Sequence, residues 1–140
     1  RPVFAGVIGP FSLAGRLMLK DRDEDSYSYT EELKSIKRAF KYFDEFDFSG
    51  GVIEIDGSLA AFSVGEALTD NCALIHIEKA DTQYDGIYAA INNEFAKNRW
   101  KDYKYINREE DMGIEGLRKA KLSYRPDHMV RKYFCHLPCR

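Results

Sequence analysis

The stretch GGVIEIDGSLAAFSVGEAL, from Gly50 to Leu68, constrains the fold more than any other part of the chain. Two apolar, β-favouring runs flank Asp56-Gly57. That dipeptide suits a two-residue turn in which both residues take positive φ, the turn whose twist matches a right-handed antiparallel ribbon. A hairpin in isolation is marginal in water, so the ribbon demands further strands or helices against its apolar face. CALIHIEKA, residues 72–80, supplies a third strand. From Tyr84 to Asn98, Ile87, Ile91 and Phe95 recur at helical spacing, and YKYIN, residues 103–107, reads as a strand again.

Other segments extend this pattern. VFAGVIG at the start reads as a buried strand, broken at Gly9-Pro10, and FSLAGRLML as a short helix. KDRDEDS is a charged linker. Ser28 and Glu31 have the spacing of a capping box, with Leu33, Ile36, Phe40, Phe43 and Phe46 on one face of a helix over residues 30–46, ended by SGG. Ile114 to Leu122 reads as a helix and MVRKYFCHL as a final strand. The expected order is β-α-α-β-β-β-α-β-α-β, an α/β (α+β) class, with residues 73–80 and 103–107 as neighbouring, diverging parallel strands.

At 140 residues the chain holds one ordinary core, and no apolar run has the length of a membrane span. No signal peptide with a cleavage site is visible. The formal net charge of −2 carries no overall nucleic-acid signature, so any phosphate or RNA contact needs a local patch. The odd count of three cysteines, Cys72, Cys135 and Cys139, with Cys72 far from the other two, argues for reduced cytoplasmic thiols rather than a disulfide framework. Cys135, His136 and Cys139 fall short of a four-ligand metal set, so no metal is expected.

The densest charge lies in YINREEDMGIEGLRKAKLSYRP, from Tyr105 to Pro126. The run would leave a strand at its C-terminal end, where open α/β sheets place ligands. Glu110 and Asp111 stand near the start of a helix, where anions are favoured, and Arg118 and Lys121 share a helical face. Arg118 and Lys121, with Asn107 and Arg108, are candidates to bind a phosphate-bearing substrate. Glu110 and Asp111 are candidates to accept a proton, with Arg108 paired to one of them. Salt bridges and a helix cap would account for the same charges without any ligand. His76 and Glu78, two apart on a strand, are expected on one face, Glu78 as a base or as a solvated strand end. Tyr124 is a candidate donor to a leaving oxygen, or a packed side chain.

GGVIEIDG, AFSVGEAL, IHIEKAD, AINNEF and above all the 105–126 stretch resemble the C-terminal domain of the family once called DUF2156, related to phosphatidylglycerol lysyltransferase, over residues 21–133. The order hairpin, strand, crossing helix, strand is likewise that of the acetyltransferase-like (GNAT) fold. The resemblance implies a bacterial-type transferase that moves an aminoacyl group from aminoacyl-tRNA to an anionic lipid headgroup, peripheral to the membrane, with a second GNAT-like domain as a further partner. Residues 1–18 look instead like a strand–helix segment of uroporphyrinogen decarboxylase-like proteins, which separates residues 1–20 from a GNAT-like domain at 21–140. A GNAT fold places its acyl donor between two splayed strands. The following helix usually opens Q/R-x-x-G-x-G/A, whose backbone N–H groups hold a pyrophosphate. Here Gln83 and Gly86 match, but Tyr88 fills the second small position and Asp85 adds an anion, so no acetyl-CoA cofactor is expected. The alternatives are a CoA-dependent N-acyltransferase and a non-catalytic, partner-binding GNAT-like domain.

Overall fold

The structure, a computed structural model, describes residues 3–7 and 27–137. In chain order the elements are β1 (Val3–Val7), α1 (Tyr27–Lys41), β2 (Ser49–Ile55), β3 (Ser58–Thr69), β4 (Cys72–Ala80), α2 (Ile87–Arg99), β5 (Tyr105–Asn107) and α3 (Glu115–Ser123). The five strands form one sheet in the order β1-β2-β3-β4-β5. The first three pairings are antiparallel, and β4 and β5 are parallel, which makes the sheet mixed. The chain divides after Glu109 into two compact units, the sheet with α1 and α2, and residues 110–140 with α3.

The Asp56-Gly57 turn forms as its sequence demands, with φ of 52° and 73°. Strand alternation then sorts the side chains onto two faces. Val52, Phe62 and Val64 pack with Phe40 and Phe43 on the α1 side. Ile53 and Ala61 pack with Ile87 and Ile91 on the α2 side. Ala73 and Ile75 extend that second face to Phe95 and Trp100. Full burial of side chains this size stabilises by roughly 1.5–3 kcal/mol each, so the two faces together hold the sheet between its helices.

Among the described residues the sheet has four register shifts, and two of them, in the β2–β3 and β3–β4 ladders, bear on the side-chain faces here. The register moves from Ile53↔Ala61 to Glu54↔Leu59, and from Val64↔Ile77 to Gly65↔Ile75. The second bulge adds His76 to β4. A bulge turns two successive residues toward one side. Ile75 therefore faces α2 with Phe95 and Trp100, His76 stacks on Phe48, and Ile77 joins the α1-side cluster. Gly65 sits beside this bulge because a Cβ there would lie 2.6 Å from the Leu74 carbonyl oxygen, 3.0 Å from Ile75 Cδ1 and 3.4 Å from Trp100 Cζ2.

Several expectations are corrected. Helix α1 covers Tyr27–Lys41, so Ser28 lies within the helix instead of capping it, and turns take over at residues 42–47. Phe46 is 54% exposed because it falls in those turns. Ser49, Gly50 and Gly51 begin β2, where ladder bonds to Gly65, Val64 and Ser63 outweigh their tendency to break structure. Residues 129–137 form no strand: they pair with no ladder among the described residues, and Met129, Val130, Tyr133, Phe134 and Leu137 are exposed. Alternation alone cannot hold a strand without a partner edge. The expected FSLAGRLML helix and the charged linker lie outside the described residues. β1 is an edge strand, antiparallel to β2.

Candidate functional site

Parallel pairing between β4 and β5 is short: Cys72↔Tyr105, Ala73↔Ile106 and Leu74↔Asn107. Beyond Leu74 the edge of β4 that faced β5 has no strand partner among the described residues. The two strands are parallel neighbours as expected; β5 ends at Asn107, opposite Leu74, and β4 runs on to Ala80 without it. Two side-chain contacts join β4 to the segment that follows β5. Arg108 Nη2 donates to Glu78 Oε1 at 2.7 Å, with both side chains largely buried. Asn92 of α2 donates to the other Glu78 oxygen at 3.4 Å, which places this pair on the α2 side. His76 lies between two carboxylates, with Nε2 2.7 Å from Glu66 Oε1 and Nδ1 3.0 Å from Glu109 Oε1. Its ring packs on Phe48, centroids 5.2 Å apart.

The expected common face of His76 and Glu78 is therefore corrected. The bulge inserts one residue between them in side-chain phase, and they stand on opposite faces of β4. The strand exit is shaped by a side chain: Asn107 Oδ1 accepts the Glu109 N–H at 2.8 Å, and Glu109 takes φ 57°. This turn aims Arg108 and Glu109 to the two sides.

In the second unit, Asp111 Oδ1 accepts the Gly113 N–H at 2.9 Å, and Met112 and Gly113 take φ of 55° and 74° before α3 begins. Arg118 grips Asp111 with Nε at 2.6 Å and Nη2 at 3.3 Å. The Arg118 hydrogen bond and then the Gly113 N–H hold the Asp111 carboxyl below the ordinary carboxylate range, and the same bond raises Arg118. Lys121 Nζ donates to the Glu110 carbonyl at 2.8 Å, and Lys132 lies 3.5 Å from the Glu110 carboxylate. Tyr124 is exposed at the C-cap of α3. Ile114, Leu117 and Leu122 are exposed, and α3 buries none of its residues.

Each charge of the 108–111 run thus has its own partner: Arg108 with Glu78, Glu109 with His76, Glu110 with Lys132 and Asp111 with Arg118. The expected pairing of Arg108 with an acid of its own run is replaced by Glu78 on β4. His76 with Glu66 was missed as a constellation. Their positions relative to a bulge decide it, and only the histidine itself was a signal.

At the loop before α2, Gly86 has φ 74°, as a glycine at that position suits, but Gln83 is turned back on Asp81 through its backbone N–H at 3.1 Å and its side-chain amide at 2.6 Å. Tyr88 is exposed. Among the described residues no cluster of three or more His, Cys, Asp or Glu has a geometry to hold a metal ion, and no helix is long and apolar enough to cross a membrane.

A family model described as "Phosphatidylglycerol lysyltransferase, C-terminal" matches residues 13–136. The chain belongs to that family. Its fold is that of GNAT acetyltransferases. It is similar to a conserved protein of unknown function from Bacteroides thetaiotaomicron VPI-5482, with 36% identity and a TM-score of 0.77 over 91% of this chain and 45% of that one. A ribosomal-protein-alanine N-acetyltransferase from Brucella melitensis biovar Abortus 2308 shares the fold at 14% identity, TM-score 0.64, over 98% of this chain and all of that one. An uncharacterized protein of Mycoplasmoides gallisepticum is 23% identical over 116 residues, which is 83% of this chain and 37% of that protein. The chain spans less than half the length of the Bacteroides and Mycoplasmoides relatives. Family membership and fold together make it a GNAT-like domain of that family.

Proposed function

We propose that this domain transfers an aminoacyl group from aminoacyl-tRNA to a hydroxyl of phosphatidylglycerol, as part of a longer enzyme of this family that works at the membrane surface and brings a second GNAT-like domain. The family match over residues 13–136 carries the reading. The chemistry is an ester exchange: the acceptor oxygen forms a C–O bond to the aminoacyl carbon, the bond to the tRNA ribose breaks, and the ribose oxygen takes the proton. The donor ester is already activated, so positioning and proton transfer are what the protein must supply. The β4 edge beyond Leu74, where β5 has ended, is the place we assign to the donor ester. Glu78 is the acid beside that strand exit; Glu110 and Asp111, in the second unit, are the acids of the charged run, and Tyr124 is that unit's candidate hydroxyl. Asn107 and Arg108 border the exit. Arg118 and Lys121 would exchange their present acceptors for a phosphate of donor or acceptor.

The loop before α2 supports an RNA-borne donor over CoA. Gln83 is tied to Asp81, Asp85 adds negative charge, and Tyr88 stands where backbone would have to approach a pyrophosphate. The test is a transfer assay with radiolabelled lysyl-tRNA and phosphatidylglycerol vesicles, run beside acetyl-CoA with an amine acceptor. Labelled lipid supports the reading. Acetyl transfer without labelled lipid establishes the CoA-dependent alternative, and transfer from neither donor leaves the partner-binding one.

A further inference from the structure

We propose that His76 is the catalytic base that takes the proton from the attacking hydroxyl, with Glu66 as its positioning residue. The inference rests on the acyl-transfer reading and names a group outside its charged run. Four observations carry it. His76 is the extra residue of the β4 bulge, so the backbone turns it out of the ladder phase. It stands two residues beyond the last β4–β5 pair, where the edge opens. Phe48 covers one face of its ring. Both ring nitrogens face carboxylate oxygens, at 2.7 Å to Glu66 and 3.0 Å to Glu109.

A neutral imidazole has one N–H and one lone pair, so it donates to only one of these carboxylates. Glu66 makes the shorter contact, is the less exposed of the two, and is anchored in β3. The N–H therefore belongs on Nε2. That leaves the Nδ1 lone pair toward Glu109, two acceptors facing each other. Glu109, the residue with φ 57° at the strand exit, is the one that gives way to an acceptor hydroxyl. A carboxylate that fixes the tautomer of a histidine whose other nitrogen meets the nucleophile is the arrangement of base and orienting acid in nucleophile activation generally. In the reaction Nδ1 takes the hydroxyl proton as the new ester bond forms, and returns it to the departing ribose oxygen as the old bond breaks. The charged groups that face the ring are Glu66 from β3 and Glu109 from the segment after β5; Phe48 contributes an uncharged ring.

The experiment is single-turnover transfer from lysyl-tRNA to phosphatidylglycerol vesicles by the full chain, wild type and the His76→Gln and Glu66→Gln variants, across pH, with melting curves to confirm folding. His76→Gln is expected to lower the rate by about 10²–10⁴-fold, the range of a general base, and to change the shape of the pH profile. Glu66→Gln is expected to lower the rate constant with little change in half-saturation by vesicles. A folded His76→Gln protein within threefold of wild type, with the same pH profile, overturns the assignment and leaves the acyl-transfer reading standing. A wild type that transfers nothing overturns that reading, and the ring is then judged by ¹⁵N NMR at pH 8. An Nε2–H tautomer supports the Glu66 assignment, and an Nδ1–H tautomer overturns it.

Discussion

Arg108 and Glu109 are adjacent in the chain and hold opposite faces of β4, Arg108 through Glu78 and Glu109 through His76. Both contacts lie just past Leu74↔Asn107, the last β4–β5 pair. Of the two, the Arg108–Glu78 pair is the charge-assisted hydrogen bond that holds the strand exit.

The Arg108–Glu78 contact leads to the first prediction. Removing one partner leaves a largely buried charge without its counterion, which is more damaging than removing both. Arg108→Ala is expected to destabilise the sheet unit by about 2–3 kcal/mol, below the range for fully buried pairs. Urea titration checks it: the midpoint should fall with the slope unchanged. An unaltered midpoint would show that solvent already screens the pair.

Gly65 tests the packing at the bulge. A methyl group there meets the backbone oxygen of Leu74 at 2.6 Å, and neither that carbonyl nor Trp100 is a flexible side-chain end. Gly65→Ala is therefore expected to destabilise by about 1–3 kcal/mol, as overpacking does. Thermal melting should show the drop, and Gly57→Ala, in a turn with open space, serves as a control for strain from positive φ alone.

Asp111 gives a pH dependence. Its folded carboxyl lies below the ordinary value because Arg118 and the Gly113 N–H bond its charged form. In the unfolded chain the group titrates near about 3.9. The stabilisation is thus complete above that pH and is lost as the pH falls through the folded value. Hydrogen exchange of the α3 amides should accelerate below that window in the wild type. Asp111→Asn should exchange faster already at neutral pH and lose that acid-dependent step.

The loop before α2 predicts that acetyl-CoA shows no micromolar affinity in calorimetry. Tyr88→Gly should raise the affinity if bulk at that position is the obstacle. Should Tyr88→Gly leave it unchanged while Asp85→Asn raises it, the negative charge is the obstacle instead.

Much of the fold is legible in local sequence. The Asp56-Gly57 turn, the boundaries of β4 and the buried stripe Ile87, Ile91 and Phe95 all follow from periodicity and turn chemistry, because each depends on residues within a few positions of one another. Charge in the 105–126 stretch is legible too, as is the family resemblance. The partners of that charge are not. Arg108 meets Glu78 across 30 positions, and Glu109 meets His76 across 33. The side on which His76 stands depends on a bulge, and a bulge is set by the register of β4 against β3, which no alternation within β4 reveals. The sequence alone thus determined which segments become strands and helices and where ionisable groups crowd. Only the tertiary structure decided which of those groups meet, because strand register and long-range proximity arise from packing of the whole sheet and not from spacing along the chain.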